Sequence, residues 1–415
     1  MKKDFIVLIA GLLLLSATAI FNRNPFVFDE RLFPPNVELM EKHGFGKQFL
    51  LEMNDQAPGP LYEFVHLPLK GITHLTPRAM RIVNLVLFYL VIFILILLYR
   101  KSSYDLNQSV YLSLHIIAIT TLWQVAGLVL TEIPAMLFAS LSFLFGLLLL
   151  NLPAENHKKT ILYSALMGIT GGLAILGRTP YLVIIPAFFG VLILLRYINK
   201  KKLSIPAAFL PYAVIALAMC VPVFMIWGGM VPPLQPRVSG AIQPWHGLLA
   251  CAYAGVIGFI LYPKWFLFNH TILIILLAAY TCFFVLALLE LGFEYAPMAA
   301  TVIRVAGLNV FNMYVKFVSP LLATFGFYFL VCCWYRGKEN LSNPVYLFAL
   351  LASLAILATS AKISHQFSSR YVAQAAPFLV IVFVKVDPQD KWRWVRLAAG
   401  IIMGFLSLNT YAKVI

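Results

Sequence analysis

The acidic pair Asp29-Glu30 follows the first apolar run directly, in the string Pro25-Phe26-Val27-Phe28-Asp29-Glu30-Arg31. Neighbouring carboxylates on an extended or helix-starting segment point in different directions. One can then act as a general base while the other orients a partner or holds a cation. A second reading is a helix N-terminus stabilised by acids, with Asp29 as cap and Arg31 as local counter-ion. Glu132 opens another apolar run in Leu130-Thr131-Glu132-Ile133-Pro134. It is either a third catalytic acid or a helix-dipole carboxylate. Arg178, in Gly177-Arg178-Thr179-Pro180, and Arg370, followed by Tyr371, stand at the edges of apolar runs. Guanidinium groups there suit bidentate phosphate binding; the alternative is snorkelling to lipid headgroups. An ionisable side chain in hydrocarbon costs about 3 kcal/mol or more, so each of these is a functional candidate.

Three further segments carry polar groups. Lys362 to Tyr371 is short, polar and basic, a candidate holder of a lipid-linked phosphate through Lys362, Arg370 and Tyr371. Within it, His365 reads as a hydrogen-bonding loop residue rather than a catalyst or metal ligand. Asn54-Asp55-Gln56-Ala57-Pro58-Gly59-Pro60 joins polar side chains to a rigid turn that can set Asp55 or Gln56 beside an active site, or can simply re-enter the membrane. Arg237 and Gln243-Pro244-Trp245-His246 mix basic and aromatic groups. Trp245 is either an interfacial belt residue or an aromatic face beside a sugar. Zinc-protease, nucleophile-elbow, P-loop and dinucleotide-binding signatures are missing from the sequence.

The elements that must position these residues follow from composition. The chain of 415 residues is 61% hydrophobic and 11% charged, against about 25% charged in a soluble domain. That excludes a disordered tail, a secreted disulfide scaffold and an ordinary cytosolic enzyme. The surplus faces lipid, which implies one all-α, polytopic transmembrane bundle over residues 1–415. About thirteen apolar runs reach span length: 5–21, 79–99, 108–126, 131–151, 161–178, 180–197, 206–228, 245–262, 270–289, 315–334, 344–361, 371–386 and 396–413. The first could be read as a cleaved signal peptide, but the segment after it does not read as a mature soluble domain, which favours a retained first helix. The five cysteines lie in or beside apolar runs and read as small fillers.

A net charge of +15 would suggest nucleic acid in a soluble chain. Here the basic residues come in clusters between spans, so the partners are membrane lipids and no nucleic acid. With Lys2 and Lys3 inside, alternation of sides puts Arg100-Lys101, Lys158-Lys159, Lys200-Lys201-Lys202, Arg336 and Lys391 inside as well. The split is about 17 basic and 6 acidic residues inside against about 14 and 10 outside. The turns near 127–130 and 178–180 are the weakest points of that count. Residues 22–78 form a long outer loop. Its apolar residues Val37, Leu39, Met40, Phe45, Phe49 and Leu50 predict short amphipathic surface helices broken at Gly44 and Gly46. Asp29, Glu30, Glu132, Arg178 and Arg370 all fall on this outer side.

On these motifs the chain resembles the C-type glycosyltransferase superfamily (GT-C). The likeness lies in the acidic pair after span one, Thr131-Glu132-x-Pro134-Ala135, the string Gly172 to Pro180, and Ser369-Arg370-Tyr371 with Ala376-Pro377. Within it, Pro25-x-x-x-Asp29-Glu30, Pro58-Gly59-Pro60-Leu61-Tyr62 and Arg81-x-x-Asn84-Leu85 are similar to the dolichyl-phosphate-glucose α-1,2-glucosyltransferases. Bacterial protein mannosyltransferases and lipid A aminoarabinose transferases share the broad plan. The resemblance implies an inverting enzyme of a bacterial inner membrane, with its active site facing outward. The donor would be a polyprenyl-phosphate sugar and the acceptor a glycan, lipid or protein. Asp29 would deprotonate the acceptor, with Glu30 or Glu132 orienting it or holding a cation. Arg178 and Arg370, with Lys362 and Tyr371, would take the donor phosphate. Asp55, Gln56, Arg237, Trp245, His246 and His365 are the acceptor-side candidates. A divalent cation, if used, would sit at Asp29 or Glu30.

Rival readings are a transporter or flippase for lipid-linked saccharides, with charges deep in its spans and paired broken helices, and an O-antigen-type ligase or polymerase. A membrane O-acyltransferase would bury a histidine in a span, for which His115 is the nearest fit.

Overall fold

The computed structural model describes residues 2–53, 59–153, 156–198, 204–234, 242–291, 295, 299–363 and 367–413. Every regular element among them is helical. The chain is an integral membrane protein: among the described residues ten helices are long and apolar enough to cross a bilayer.

Helix α1 (Lys2–Phe21) runs from an end marked by Asp4 to an end marked by Asp29. A 3-10 turn (Phe28–Leu32) and the short helices α2 (Phe33–His43), α3 (Lys47–Glu52), α4 (Leu61–His66) and α5 (Lys70–Thr73) cover the Asp29 end, and α6 (Pro77–Lys101) returns. The third pass is α7 (Leu106–Leu114), a 3-10 turn (His115–Ala118) and α8 (Leu122–Gly127). Then come α9 (Glu132–Leu150), α10 (His157–Gly177), a 3-10 turn (Thr179–Val183) leading into α11 (Ile184–Tyr197), α12 (Ile205–Trp227), α13 (Pro244–Leu261) and α14 (His270–Leu288). After α15 (Ala299–Ala306), the passes are α16 (Leu308–Glu339), α17 (Pro344–Thr359) with a last 3-10 turn (Ser360–Lys362), the pair α18 (Arg370–Ala373) and α19 (Ala376–Phe383), and α20 (Arg393–Lys413).

Side-chain contacts fix the direction of the passes that are not single long helices. The Tyr111 hydroxyl donates to Asp4 Oδ2 at 2.9 Å, while the far end of that pass meets Asn84, whose Nδ2 donates to the Val125 and Leu128 carbonyls at 2.8 and 2.6 Å. The α18–α19 pass starts at Asp29 through Arg370 and ends where the Tyr99 hydroxyl donates to the Val380 carbonyl at 3.1 Å. Beside the ten long helices, these two jointed passes and α20 match the remaining three of the thirteen predicted runs among the described residues.

Two of the thirteen depart from the continuous helices the sequence predicts. Residues 108–126 leave the α-helix at His115, whose Nδ1 lies 2.9 Å from the Tyr111 carbonyl. The β-branched run Ile116, Ile117, Ile119, Thr120 and Thr121 follows, and such residues crowd the preceding helical turn. Trp123 Nε1 donates to the Ile117 carbonyl the break frees, at 2.8 Å. Residues 371–386 break at Gln374-Ala375, before Pro377, which has no N–H to continue the ladder. The breaks around 128–131 and at Arg178 are real helix ends.

Helix α9 lies at the centre, 78% of its span buried, and α14 at the rim, 6% buried. Gly168, Gly171 and Gly172 let α10 press on α12; a Cβ at Gly172 would come within 2.7 Å of Met219 Sδ. The surface helices fall as predicted, α2 ending at Gly44 (φ +66°) and α3 starting after Gly46. They do more than lie on a surface: Val37, Met40, Phe49 and Leu50 are buried, and Trp227 at the end of α12 donates to the Leu50 carbonyl at 2.7 Å. Four of the cysteines are buried as fillers, but Cys282 is exposed on α14.

Candidate active site

The segment between α1 and α2 makes a tight turn that Glu30, not Asp29, caps. Glu30 Oε2 accepts from the Val27 N–H at 2.8 Å, and Oε1 accepts from the Val129 N–H at 2.7 Å. Arg81 closes on the same carboxylate with Nε to Oε1 at 2.9 Å and Nη2 to Oε2 at 2.6 Å. Both side chains are fully buried. Each Glu30 oxygen thus accepts two donors among the described contacts, a structural engagement that the sequence does not foretell. Phe28, between Val27 and Asp29, has φ +53°, a left-handed conformation that costs a bulky residue about 1–3 kcal/mol.

Asp29 takes a different partner from the Arg31 expected of it. Its Oδ2 accepts from Arg370 Nη1 at 2.6 Å, with both side chains about one-fifth exposed. Arg31 Nε instead donates to the Phe26 carbonyl at 2.9 Å. Glu132 is fully buried and forms an ion pair with Arg178, which is itself mostly buried. Burial, and then the neighbouring Arg370 guanidinium, pull the Arg178 pKa down to about 10, so it remains a cation at neutral pH. Asp29, Tyr371 and Tyr181 act on it in the opposite sense. Asp29, Glu132, Arg178, Arg370 and Tyr371 therefore form one electrostatic group at the Asp29 end, made of two acids, two guanidiniums and a phenol.

Neighbouring elements brace this group. The Tyr181 hydroxyl donates to the Gln374 carbonyl at 3.0 Å, tying the turn after Arg178 to the break below Arg370. The start of α4 presses against the end of α10: a side chain at Gly59 would run into the Leu176 carbonyl, and a Cβ on Gly177 would lie 2.6 Å from Leu61 Cδ2 and 2.8 Å from Ala135 Cβ. Only glycine fits so close an approach.

The remaining candidates lie elsewhere. Lys362 is exposed at the end of its pass, and none of the described contacts joins it to the two ion pairs. His246 Nδ1 lies 2.7 Å from the Ile363 carbonyl, and its ring is 5.9 Å from Phe367. Trp245 packs edge-on against Phe283 of α14 at 6.0 Å. Phe367 then reaches Tyr371 at 6.3 Å, so among the described contacts His246 connects to the charged group through an aromatic chain. Asp55, Gln56, Arg237 and His365 lie outside the described residues. His115 is buried near Tyr111 at the Asp4 end, the opposite pole from Asp29. Among the described residues no group of three or more His, Cys, Asp or Glu side chains gathers as a metal site.

Arg81 and Glu63 were not singled out for chemistry by the sequence, though a charge five residues into a span is a costly one and is the signal for Arg81. Glu63, on α4, is buried beside Asn36, and burial raises its pKa to about 8. Next to it His66 stacks on Tyr62 at 4.2 Å, and burial lowers its pKa to about 4. Both are neutral at pH 7.

No family model and no curated protein matches the sequence. Two solved structures do. The crystal structure of ArnT from Cupriavidus metallidurans in the apo state aligns at 12% identity with a TM-score of 0.45, covering 92% of this chain and 77% of that one. The same protein bound to undecaprenyl phosphate aligns at 12% identity with a TM-score of 0.44, covering 91% and 77%.

Proposed function

We propose that the protein is an inverting GT-C-type glycosyltransferase that takes a sugar from a polyprenyl-phosphate donor. The observation that carries this is the joining of Asp29 to Arg370, 341 positions away, beside the Glu132–Arg178 pair. A carboxylate next to two guanidiniums supplies both a proton acceptor and a phosphate clamp, the two groups that displacement of a phosphate leaving group requires. Asp29 takes the proton as the acceptor O–H breaks. The acceptor oxygen bonds to the anomeric carbon from the face opposite the phosphate. The C–O bond to phosphate breaks, its electron pair stays on polyprenyl phosphate, and Arg370 and Arg178 stabilise that charge. Arg370 must serve both partners, so an arriving phosphate draws it from Asp29 and frees the base. Glu132 holds Arg178, and Tyr371 lines the phosphate side. The positive-inside pattern supports an outward-facing position of this end in the inner membrane. The acceptor is a glycan, a lipid or a protein.

The test uses the full chain in lipid nanodiscs, a panel of undecaprenyl-phosphate hexoses and pentoses, and an envelope fraction as acceptor source. Release of undecaprenyl phosphate by the wild type, lost in Asp29→Asn while the variant still binds undecaprenyl phosphate, is the expected result. Equal turnover by Asp29→Asn would remove the base.

One observation favours the transporter reading instead. The two broken passes meet, α18 packing on α8, as paired broken helices do in transporters. Movement of a labelled lipid-linked saccharide across proteoliposomes, with no sugar transferred, would decide for it.

A further inference from the structure

We infer that Arg81 is a positioning residue for the proposed base: with Glu30 it forces the turn over 24–30 into the shape that aims Asp29 at Arg370. The inference rests on the reading of Asp29 as base. Arg81 spends its donors on two jobs. Nε and Nη2 grip Glu30, while Nη1 donates to the Asn24 carbonyl and Nη2 to the Pro25 carbonyl, each at 2.9 Å. Arg31 takes the next carbonyl, Phe26. Three consecutive carbonyls are thereby turned toward guanidiniums, which no regular helix or strand would do. At Phe28 the chain then adopts φ +53°, a conformation an aromatic residue leaves unless its surroundings hold it. Glu30 supplies the hold, fixing the Val27 N–H on one side of Phe28 from its own place on the other.

The same helix also sets Glu132. Asn84, nearly one turn along α6 from Arg81, fixes the Val125 and Leu128 carbonyls, and Glu30 holds the Val129 N–H three residues before Glu132. Both acids of the charged group are thus placed from α6. Arg81 and Glu30 are fully buried, so they touch no substrate and act only through what they position. Lysine cannot replace Arg81 here, because an ammonium lacks the planar fork that meets a carboxylate and two carbonyls at once.

The test uses the full chain with Arg81→Lys, Glu30→Gln, Phe28→Gly and the double variant Glu30→Gln/Phe28→Gly. In the first two, hydrogen exchange in peptide 22–31 should rise about tenfold while α12 and α13 keep wild-type protection. Undecaprenyl phosphate binding should stay within about threefold of wild type while kcat falls about 100-fold, the cost of a misplaced base. Glycine enters the left-handed region freely, so Phe28→Gly in the Glu30→Gln background should recover about tenfold in kcat. Unchanged exchange over 22–31 overturns the clamp. Parallel loss of phosphate binding, or no recovery in the double variant, overturns the positioning role in favour of general stability. If Glu30→Gln does not accumulate, Arg81→Lys, which keeps the buried charge balanced, carries the exchange and kcat arms alone. A wild type that turns over no donor defeats the proposed function, while the exchange arm still decides the clamp.

Discussion

Asp29 and Glu30 share a peptide bond and sit in opposite surroundings. Glu30 is sealed, with four donors on its two oxygens and no solvent contact. Asp29 is one-fifth exposed and holds Arg370 through one hydrogen bond. The difference shows how an apolar bundle keeps two charges side by side. One is spent on architecture, where every lone pair must be met because a buried charge left alone is costly. Under the proposed function the other stays exchangeable, its partner leaving for the donor phosphate. The sealed acid is what allows the open one to stay under-coordinated without drifting.

The widest separation of the two acids should come from removing each. Asp29→Asn should lower sugar transfer about 10²–10⁴-fold, the usual worth of a general base, with unfolding temperature nearly unchanged. Glu30→Ala should lower stability as well as transfer: leaving the Arg81 charge buried and unpaired should cost about 3–5 kcal/mol, seen as a lowered thermal midpoint in detergent. A Glu30→Ala variant as stable as wild type would end the contrast. Next, Arg370→Ala should raise the apparent KM for donor about tenfold or more, as loss of a charge-assisted contact does, while the acceptor KM moves little. Equal shifts in both would mark Arg370 as a lipid anchor instead.

A pH series sharpens the same comparison from a third buried acid. Glu63 keeps its proton in the folded chain up to about pH 8, against 4.5 for an ordinary Glu. Between those values the unfolded chain has lost a proton the folded chain retains. Stability is therefore fully present below pH 4.5 and falls as pH rises toward 8, by at most about 1.4 kcal/mol per unit. His66, lowered to about 4 from 6.5, works oppositely, gaining stability as pH rises through 4 to 6.5. The window from 6.5 to 8 isolates Glu63. Melting curves of Glu63→Gln should be flat there where wild type declines, and matching slopes would contradict the burial argument. The smallest effect should be Lys362→Ala, whose exposed side chain stands apart from both ion pairs. A twofold change or less in donor turnover is expected, on the order of what exposed charges contribute.

The all-helical membrane bundle and the pair of surface helices were legible because both follow from hydrophobic length and from glycine at 44 and 46. That charges gather at span edges was legible for the same reason: hydrocarbon tolerates them poorly. Which charge meets which was not. Arg370 and Asp29 are 341 positions apart, and nothing in local sequence states that they touch. The adjacent acids looked alike in sequence because the donors that distinguish them come from Arg81 on α6 and from Val129. The break at 374–375 hid inside an apolar run, since the Pro377 that causes it is equally at home in the first turn of a helix. His115 drew attention as a lone histidine in a span, yet it serves a helix interruption far from the charged group.

Four helices that set out from the Asp4 end begin on a carboxyl or amide side chain that bonds its own helix: Asp105 to the Gln108 N–H, Asn156 to Lys159, Asn269 to Ile272 and Asn343 to Tyr346. The helices that set out from the Asp29 end, at Thr76, Thr131, Gln243, Gly307 and Ser369, carry no such bond. Each cap is worth about 1 kcal/mol, so sliding one of those four passes by a single residue breaks a bond within its own helix at the Asp4 pole and bonds between elements at the other. The Asp4 pole is the keel of the molecule. It fixes these four helix starts from within their own sequence, while the opposite deck fixes its helix starts through bonds between elements.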